Sequence, residues 1–347
     1  MKKLKLALLG FGNAGQAFCR LLLEKSEEIK KIYGTEVIVT AVATSSKGNI
    51  YAPEGVNLAE ALEDVSERGK FSARHRLTEM NTMEIAENAD YDVLVEMTPL
   101  NIFTGQPAAD HIRAAFRRQK HAITANKGPI SWYFRELSEM AKDAGACFFY
   151  ETTVMDGAPV FNLTEKTLKM AKVTEVSGIL NSTTNFILEE LAKGEAYDDI
   201  MARGRSMGFI EADSAMDIEG YDAAAKITAL LNVLMDAGIT PDKVKRKGIE
   251  DITAEDIRRA AEKGKVIKLL CRGFRNENGE VEATVGPVEV SRGDILAGIN
   301  STTSIVSITT DLMKKISIIE HEPEIEQTAY GVFGDLLRVL DAVSVRP

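Results

Sequence analysis

Cysteine is scarce in this sequence, and long hydrophobic runs are missing from it. Three of the 347 residues are cysteines, and Cys19, Cys147 and Cys271 lie far apart with no CxxC spacing, so neither a disulfide framework nor a zinc knuckle is predicted. No stretch of about 18 apolar residues occurs, so we predict no membrane-spanning helix. The first apolar run is interrupted by Lys5 and ends at Leu9, which is too short for a signal peptide. These features predict a cytoplasmic protein.

Basic residues are also fewer than acidic residues. Forty-two Lys and Arg residues against 52 Asp and Glu residues give a net charge of −10. A dedicated nucleic-acid-binding protein needs clustered basic residues for phosphate contacts, so the charge argues against that class. An anionic small-molecule partner would need positive charge supplied locally. Hydrophobic residues make up 45% and charged residues 27% of the chain, which is typical of a globular protein. At roughly 150 residues per domain, the length predicts two domains.

Short apolar strands alternate with helical patterns in the first half of the chain. Helices are predicted near 108–118 and 132–144, between strands at 4–9, 37–43, 93–96, 121–124 and 147–150. Strands that alternate with helices form parallel βαβ units with right-handed crossovers. We therefore predict an α/β fold in which residues 1–150 form a doubly wound parallel sheet.

The second half follows a different pattern, in which strands and helices no longer alternate regularly. Strands are predicted near 173–180, 266–274, 280–289 and 304–309, and helices near 183–192, 197–207 and 222–235. These elements predict an α+β domain over residues 151–315, with an open mixed sheet covered by helices. We expect a C-terminal segment, residues 316–347, to pack back on the first domain through a helix at 327–342.

Three glycines follow the first predicted strand directly. Gly10, Gly12 and Gly15 form GxGxxG at the start of a helical pattern, the context in which this motif binds a dinucleotide. The first glycine allows a tight turn, the second lets the backbone approach a pyrophosphate, and the third lets the helix pack on the strand. The alternative is an ordinary tight turn between a strand and a helix.

The turn after the second strand carries no acidic residue. The chain reads Ala-Thr-Ser-Ser-Lys over residues 43–47, where NAD-binding domains place an acid on the ribose 2′-OH. Hydroxyl groups and Lys47 suit the 2′-phosphate of NADP, so we favour NADP, with NAD as the alternative. A surface turn without any phosphate contact explains Lys47 equally well.

Two further candidates follow the strands at 93–96 and 121–124. Ligands of open α/β sheets bind at the carboxyl ends of parallel strands, where this sequence places Thr98 and Lys127. We expect Thr98 on the nicotinamide side of the cofactor and Lys127 at the reacting centre. Simple solvent exposure is the alternative for a lysine in a loop.

Acidic residues crowd the stretch from Gly208 to Lys226. Asp222 and Lys226 are four residues apart at the start of an otherwise apolar helix, so they share one face of it. A surface ion pair of this kind is common and weak. The apolar residues that follow indicate burial, however, and a buried lysine beside carboxylates can polarise a carbonyl or move a proton.

Several longer segments are more specific than GxGxxG. They read GFGNAG at residues 10–15, TANKGP at 124–129, YETTVMDGAPV at 150–160, GILNSTTNFIL at 178–188 and GFIEADSAMDIEGYDAAAK at 208–226. In this order they resemble the homoserine dehydrogenases. The resemblance continues through PVEV at 287–290, ITTDL at 308–312 and TAYGVFGDLL at 328–337, so it covers nearly the whole chain.

The resemblance implies a function and an assembly. The implied reaction is the reversible NAD(P)-dependent oxidation of L-homoserine to L-aspartate 4-semialdehyde, in threonine, methionine and isoleucine biosynthesis. The implied architecture is a Rossmann domain plus a catalytic domain, in a homodimer. Lys226 would be the proton donor and Lys127 a second catalytic lysine beside the substrate hydroxyl. Substrate binding is implied for Thr183, Glu211, Asp217, Asp222 and again Lys127.

The resemblance also implies cofactor and cation contacts. Glu151, with backbone carbonyls of Val154, Asp156 and Ala158, matches a site for Na⁺ or another monovalent cation, with a structural role. Phe11, Asn13, Ala14, Thr98 and Gly208 are the cofactor contacts that the resemblance implies. Together with the motif and turn residues above, the full set expected to contact the cofactor is Gly10, Phe11, Gly12, Asn13, Ala14, Gly15, Ser45, Lys47, Thr98, Lys127 and Gly208.

One segment departs from the family pattern. Where the family commonly has a glycine-rich GPGAG loop, this chain has Glu-His-Glu-Pro-Glu over Glu320 to Glu324. Carboxylates near a pyrophosphate repel it and lack the freedom of approach that glycine allows. Two alternatives to the dehydrogenase therefore stay open: a catalytically weak paralogue that binds a nucleotide or an amino acid, and a related dehydrogenase of another small amino acid.

Overall fold

The computed structural model describes residues 1–208, 210 and 214–344, and the chain forms two compact units. The first unit contains Met1–Pro159 and the chain from Glu324 onward, and the second contains Val160–Pro323. Residues 151–159, which the sequence analysis placed in the second domain, thus group with the first unit. Within the described ranges, no helix is long and apolar enough to span a membrane.

The first unit is built on a six-stranded sheet. Its strands lie in the order β3 (Ile50–Tyr51), β2 (Thr35–Ala43), β1 (Lys2–Leu9), β4 (Val93–Glu96), β5 (His121–Thr124) and β6 (Phe148–Phe149). Every neighbouring pair is parallel except β2 and β3. The predicted doubly wound parallel sheet is confirmed, with one antiparallel edge strand of two residues added. In chain order the elements are β1 (Lys2–Leu9), α1 (Asn13–Tyr33), β2 (Thr35–Ala43), β3 (Ile50–Tyr51), α2 (Leu58–Arg68), α3 (Thr82–Asn88), β4 (Val93–Glu96), α4 (Ala108–Arg117), β5 (His121–Thr124), α5 (Lys127–Asp143) and β6 (Phe148–Phe149).

The second unit contains another six-stranded sheet, in the order β12-β11-β7-β9-β10-β8. All of its pairs are antiparallel except β8 with β10, so the predicted mixed sheet is confirmed. The remaining elements of the chain are α6 (Val160–Thr167), β7 (Val173–Ile179), α7 (Ser182–Ala192), α8 (Tyr197–Ser206), α9 (Ala215–Ile218), α10 (Tyr221–Met235), β8 (Lys245–Arg246), α11 (Ala254–Glu262), β9 (Lys265–Arg275), β10 (Val281–Ser291), β11 (Ser304–Thr310), β12 (Lys314–Glu320) and α12 (Ile325–Ser344).

Helix α12 completes the core of the first unit. It packs against α1, and its buried Val332 and Leu336 share one hydrophobic cluster with Phe18 and Leu22 of α1. Burial of each such side chain stabilises the fold by about 1.5–3 kcal/mol. The C-terminal helix is therefore part of the first unit.

A buried carboxyl group on α12 makes the stability of this unit depend on pH. Asp335 is 1% exposed and accepts the backbone N–H of Glu151 at 2.8 Å. Burial raises the pKa of Asp335 to about 7, against the opposing effects of that N–H and of the Arg338 guanidinium. In the unfolded chain the pKa is near its ordinary value of about 3.9. Between these two pKa values, Asp335 is protonated in the folded state and ionised in the unfolded state. The free energy of unfolding therefore falls as pH rises.

We expect Asp335→Asn to remove this pH dependence. Between pH 5 and pH 8, the wild type should lose on the order of 2 kcal/mol of unfolding free energy relative to the variant. Denaturant unfolding at both pH values measures the difference. Glu326→Gln, an exposed position on the same helix, is the matched control and should keep the wild-type slope. An unchanged slope in Asp335→Asn would show that Asp335 is ionised throughout.

Candidate active site

A cavity of about 640 Å³ lies at the carboxyl ends of β1, β2 and β4 in the first unit. In the strand order, β1 lies between β2 and β4, so the cavity sits where the winding of the sheet reverses, the usual ligand site of such folds. Lys127 lies outside this cavity, and Gly208 belongs to the second unit. The predicted cofactor residues that line the cavity are Gly10, Phe11, Gly12, Asn13, Ala14, Gly15, Ser45, Lys47 and Thr98.

Two of the three motif glycines meet a steric requirement, and the third faces open space. Gly10 has φ +106°, and a Cβ there would lie 2.2 Å from the backbone oxygen of Met97. A Cβ on Gly15 would lie 2.7 Å from the Gly10 oxygen. At Gly12, which precedes α1, a Cβ would meet nothing within 4 Å. The space in front of Gly12 and the N-terminus of α1 therefore fits a pyrophosphate.

The far end of the cavity is lined by hydroxyl and amide groups. Lys47 carries the one charge among the lining residues that the structure describes. The turn is ordered by its own hydrogen bonds: the Thr44 N–H donates to Asn49 Oδ1 at 2.8 Å, and the Lys47 N–H donates to Thr44 Oγ1 at 2.8 Å. The residues present fit the phosphate and ribose groups of a dinucleotide.

The end of the cavity near Thr98 rests on a buried carboxylate, Glu96, to which the sequence analysis assigned no role. Glu96, at the end of β4, is completely buried. It accepts the Thr98 backbone N–H at 3.1 Å, the Thr98 hydroxyl, and the Thr124 hydroxyl at 3.3 Å. His111 Nδ1 lies 3.7 Å away from Glu96 Oε1. Glu96 thus holds the turn that carries Thr98 against the sheet.

Lys127 stands at the carboxyl end of β5, as the first residue of α5. Asn126 caps this helix by accepting the Gly128 N–H at 3.0 Å, and its amide group donates to the Thr98 backbone oxygen at 3.2 Å. The position of Lys127 is therefore coupled to the Thr98 turn through one buried asparagine.

In the second unit, a polar cluster joins α7, α9 and α10. The Asn181 amide group donates to Asp217 Oδ1 at 2.6 Å and to Asp222 Oδ2 at 3.0 Å. Lys226 Nζ donates to the Leu180 backbone oxygen at 2.7 Å and lies 3.2 Å from Asp222 Oδ2. The cluster therefore holds Lys226 in one orientation beside two carboxylates.

The electrostatics of this cluster differ from those of a surface ion pair. The side chains of Lys226 and Asp222 are only 19% and 14% exposed. Burial raises the pKa of Asp217, and the nearby negative charge of Asp222 adds to the effect, while Asn181, Lys226 and Thr183 oppose it. Low solvent access strengthens each of these interactions. Glu211, the other predicted substrate residue of this stretch, lies outside the described residues.

The predicted cation residues lie in the turns after β6. Glu151 is buried, and the Asp156 side chain accepts the Thr328 hydroxyl at 2.5 Å. Val154 and Ala158 are also buried. Among the residues that the structure describes, no three His, Cys, Asp or Glu side chains are grouped as a metal site. Cation ligation here would therefore depend mainly on backbone carbonyl groups.

The acidic segment that departs from the family pattern lies at the end of β12. Glu320 is the last residue of that strand, and α12 begins five residues later at Ile325. In the described part of the chain, the residues that line the cofactor cavity include none from 320–324.

Comparisons with known proteins give one family. The NAD-binding domain model of homoserine dehydrogenase matches residues 10–151, and the homoserine dehydrogenase model matches residues 159–337. A homoserine dehydrogenase of Methanocaldococcus jannaschii is 34% identical over 337 residues, which cover 96% of this chain and 98% of the relative. An NAD(+)-dependent homoserine dehydrogenase of Pseudomonas canavaninivorans is 31% identical, with coverage of 98% and 97%.

Solved structures agree with these matches. A homoserine dehydrogenase from Thiobacillus denitrificans superposes with a TM-score of 0.84 at 29% identity and covers 100% of this chain and 75% of its own. A hyperthermophilic archaeal homoserine dehydrogenase in complex with NADPH has a TM-score of 0.82 at 25% identity, with 97% coverage of both chains. The predicted resemblance is confirmed. The chain belongs to the homoserine dehydrogenase family of oxidoreductases, and its first unit is a domain that binds a nicotinamide cofactor.

Proposed function

We propose that this chain catalyses the reversible oxidation of L-homoserine to L-aspartate 4-semialdehyde, with NADP as the preferred cofactor. The observation that carries the proposal is the cluster in which Lys226 is held beside Asp222, Asp217 and Asn181. Homoserine is a zwitterion, so carboxylates suit its ammonium group. An ammonium group held in a fixed position can donate a proton to the aldehyde oxygen when the aldehyde is reduced.

Each residue of the cluster has a distinct part in this reaction. Asp222 and Asp217, together with Glu211, bind the substrate ammonium and orient the molecule, and Thr183 contributes its hydroxyl group. Lys226 donates a proton to the aldehyde oxygen as it becomes the alcohol, and accepts that proton in the opposite direction. Lys127 is the second lysine beside the substrate hydroxyl. The nicotinamide cofactor, when bound, supplies or accepts the hydride.

The proposed preference for NADP rests on the turn after β2. Ser45 and Lys47 line the cofactor cavity, and no acidic residue lines it within the described ranges. A 2′-phosphate would gain a charge-assisted contact from Lys47, whereas the ribose 2′-OH of NAD lacks the carboxylate that usually accepts it.

We expect Lys47→Gln to raise the KM for NADP about tenfold, because one charge-assisted hydrogen bond is worth about 1.5–3 kcal/mol. The KM for NAD should stay within about twofold, since NAD has no group for that charge. Steady-state kinetics with both cofactors measure the two effects. Lys31→Gln, an exposed position at the end of α1, is the control. Equal rises for both cofactors would contradict the 2′-phosphate assignment.

Three further properties are part of the proposal. Glu151 and the carbonyl groups of Val154, Asp156 and Ala158 bind a monovalent cation such as Na⁺ that stabilises the turns after β6. The protein acts as a homodimer, and it acts in the cytoplasm. The cation site is supported by the family resemblance of the segment at 150–160, and the homodimer by the resemblance of the chain as a whole. The cytoplasmic location is supported by the cysteine content and the hydropathy of the sequence.

Initial rates followed at the NADPH absorbance band test the proposed reaction. Aspartate semialdehyde with NADPH, and homoserine with NADP, should both give turnover, and NADP should be preferred over NAD. Nucleotide binding without turnover would instead identify the catalytically weak paralogue. A much higher kcat/KM for another small amino acid would identify the related dehydrogenase.

A further inference from the structure

A second cavity, of about 260 Å³, lies in the second unit between α7, α11 and β9. Leu188 on α7 and Ile257 on α11 line it with apolar groups, and Lys268 of β9 lines it with a charge. Asn181 of the substrate cluster precedes Leu188 by seven residues, about 10 Å along the helix. The cavity shares no lining residue with that cluster, so it is a separate site.

The ammonium group at this cavity is buried without a carboxylate hydrogen-bonded to it. Lys268 is 3% exposed. Its Nζ donates to Asn185 Oδ1 at 2.9 Å, to the Ile299 backbone oxygen, and to Asn300 Oδ1 at 3.3 Å. Burial lowers the pKa of Lys268 to about 8, so the group carries its charge at neutral pH. A buried charge that has only neutral acceptors is costly.

The carboxylate that acts electrostatically on Lys268 is occupied by other groups. Glu189, whose charge opposes the effect of burial on Lys268, lies 2.8 Å from Lys193 Nζ and accepts the Ser301 N–H at 2.7 Å. It is the single acidic residue among the described residues that line this cavity. Four cationic residues line the same cavity, namely Lys193, Lys265, Lys268 and Arg292.

Two of the cations at the rim already have partners. Lys193 pairs with Glu189 and Glu190, and Lys265 lies 3.0 Å from Glu289. Within the described part of the chain, the Arg292 guanidinium makes no ion pair or side-chain hydrogen bond, and it is exposed. The cavity therefore presents one buried cation inside and one available cation at its mouth, and this charge pattern attracts an anion.

We propose that this cavity binds a small carboxylate anion with a short hydrocarbon chain. Its carboxylate would accept from Lys268 and Arg292, and its chain would lie on the apolar wall that includes Leu188 and Ile257. The 3.3 Å bond to Asn300, the longest that Lys268 makes with a side chain, is the one that the anion replaces. A hydrogen bond from an ammonium group to a carboxylate pairs two opposite charges, so it is stronger than the bond to a neutral amide oxygen that it replaces.

Binding of butyrate to the full-length protein tests the proposal. At constant ionic strength, saturation-transfer NMR should show saturable butyrate binding, and butylamine should not compete. We expect Arg292→Gln to weaken the affinity at least fivefold and Lys268→Met to abolish binding. Arg258→Gln, on the exposed surface of α11, is the matched control and should bind like the wild type. If Lys268→Met fails to fold, the butyrate affinity of Arg292→Gln by itself tests the proposal.

Three outcomes would overturn the proposal. The first is absence of saturable binding, or the same affinity in Arg292→Gln as in the wild type. The second is butyrate binding that disappears in Lys226→Ala but persists in Arg292→Gln, which would place the ligand at the substrate cluster. The third is inorganic phosphate binding as tightly as butyrate, which would contradict a carboxylate ligand with an apolar chain. None of these measurements depends on dehydrogenase activity.

Discussion

Lys226→Ala should lower kcat for reduction of aspartate semialdehyde by about 10³-fold, because a positioned proton donor contributes typically 10²–10⁴. The wild-type ammonium is held between the Leu180 oxygen, at 2.7 Å, and Asp222, at 3.2 Å. A water molecule that replaces it is a weaker acid and has no fixed orientation. Stopped-flow or steady-state decay of NADPH absorbance measures the loss.

The affinity for NADPH separates loss of chemistry from loss of folding. The Kd for NADPH in Lys226→Ala, measured by fluorescence titration, should stay within about twofold of the wild type, since each group in its cofactor cavity belongs to the first unit. Lys247→Ala, an exposed lysine of the same unit as Lys226, should leave both kcat and Kd unchanged. A kcat for Lys226→Ala within tenfold of the wild type would remove Lys226 from the chemistry and leave Lys127 as the candidate donor.

The glycine loop is the part of the site that the sequence predicts best. Gly10 and Gly15 are required by local geometry, namely a positive φ and two backbone contacts shorter than any Cβ allows. The positive φ of Gly10 and the contact of Gly15 with Gly10 involve residues close in the chain, so a short pattern between a strand and a helix is sufficient to predict them. The same holds for Lys226 and Asp222, which are neighbours on one helical face. The contact of Gly10 with Met97 depends on the turn after β4, and that short pattern does not contain it.

The rest of the substrate cluster could not be derived from local pattern. Asn181 bonds to Asp217 and Asp222, which follow it by 36 and 41 residues. Their meeting depends on the packing of α7 against α9 and of α9 against α10, and a single sequence carries no periodic signal for such pairing. The family resemblance predicted Asp217 and Asp222 as substrate residues. Neither the resemblance nor the local sequence pattern predicted a role for Asn181.

Buried polar groups are difficult to predict for a related reason. Glu96 ends an apolar run, and its charge by itself suggests a solvent-facing strand end. In the structure it is completely buried because Thr98 and Thr124 both bond to it. A buried carboxylate that accepts hydrogen bonds from two turns has the same local sequence as a carboxylate at an exposed strand end. The two-residue strand β3 and the lysine-bearing strand β12 were missed because each is too short or too charged for a strand pattern.

Gly10→Ala and Gly12→Ala should separate the two functions of the loop. Alanine at Gly10 must adopt φ +106° and place its Cβ 2.2 Å from the Met97 oxygen, so we expect a loss of at least about 2 kcal/mol in unfolding free energy. The turn must shift to relieve this contact, so NADPH affinity should fall as well. Thermal unfolding and fluorescence titration measure the two quantities.

Alanine at Gly12 meets no atom within 4 Å, and the backbone there has φ −75°, which any residue adopts. Its stability should therefore stay within about 0.5 kcal/mol of the wild type. NADPH affinity should nevertheless fall at least about tenfold, because the methyl group occupies the space through which the backbone approaches a pyrophosphate. If Gly12→Ala binds NADPH with wild-type affinity, the pyrophosphate binds elsewhere. If Gly10→Ala has wild-type stability, the Met97 turn moves away from the new methyl group without a loss of unfolding free energy. A loss of stability at Gly10 with none at Gly12, two residues later, would show that the first glycine shapes the turn and the second admits the ligand.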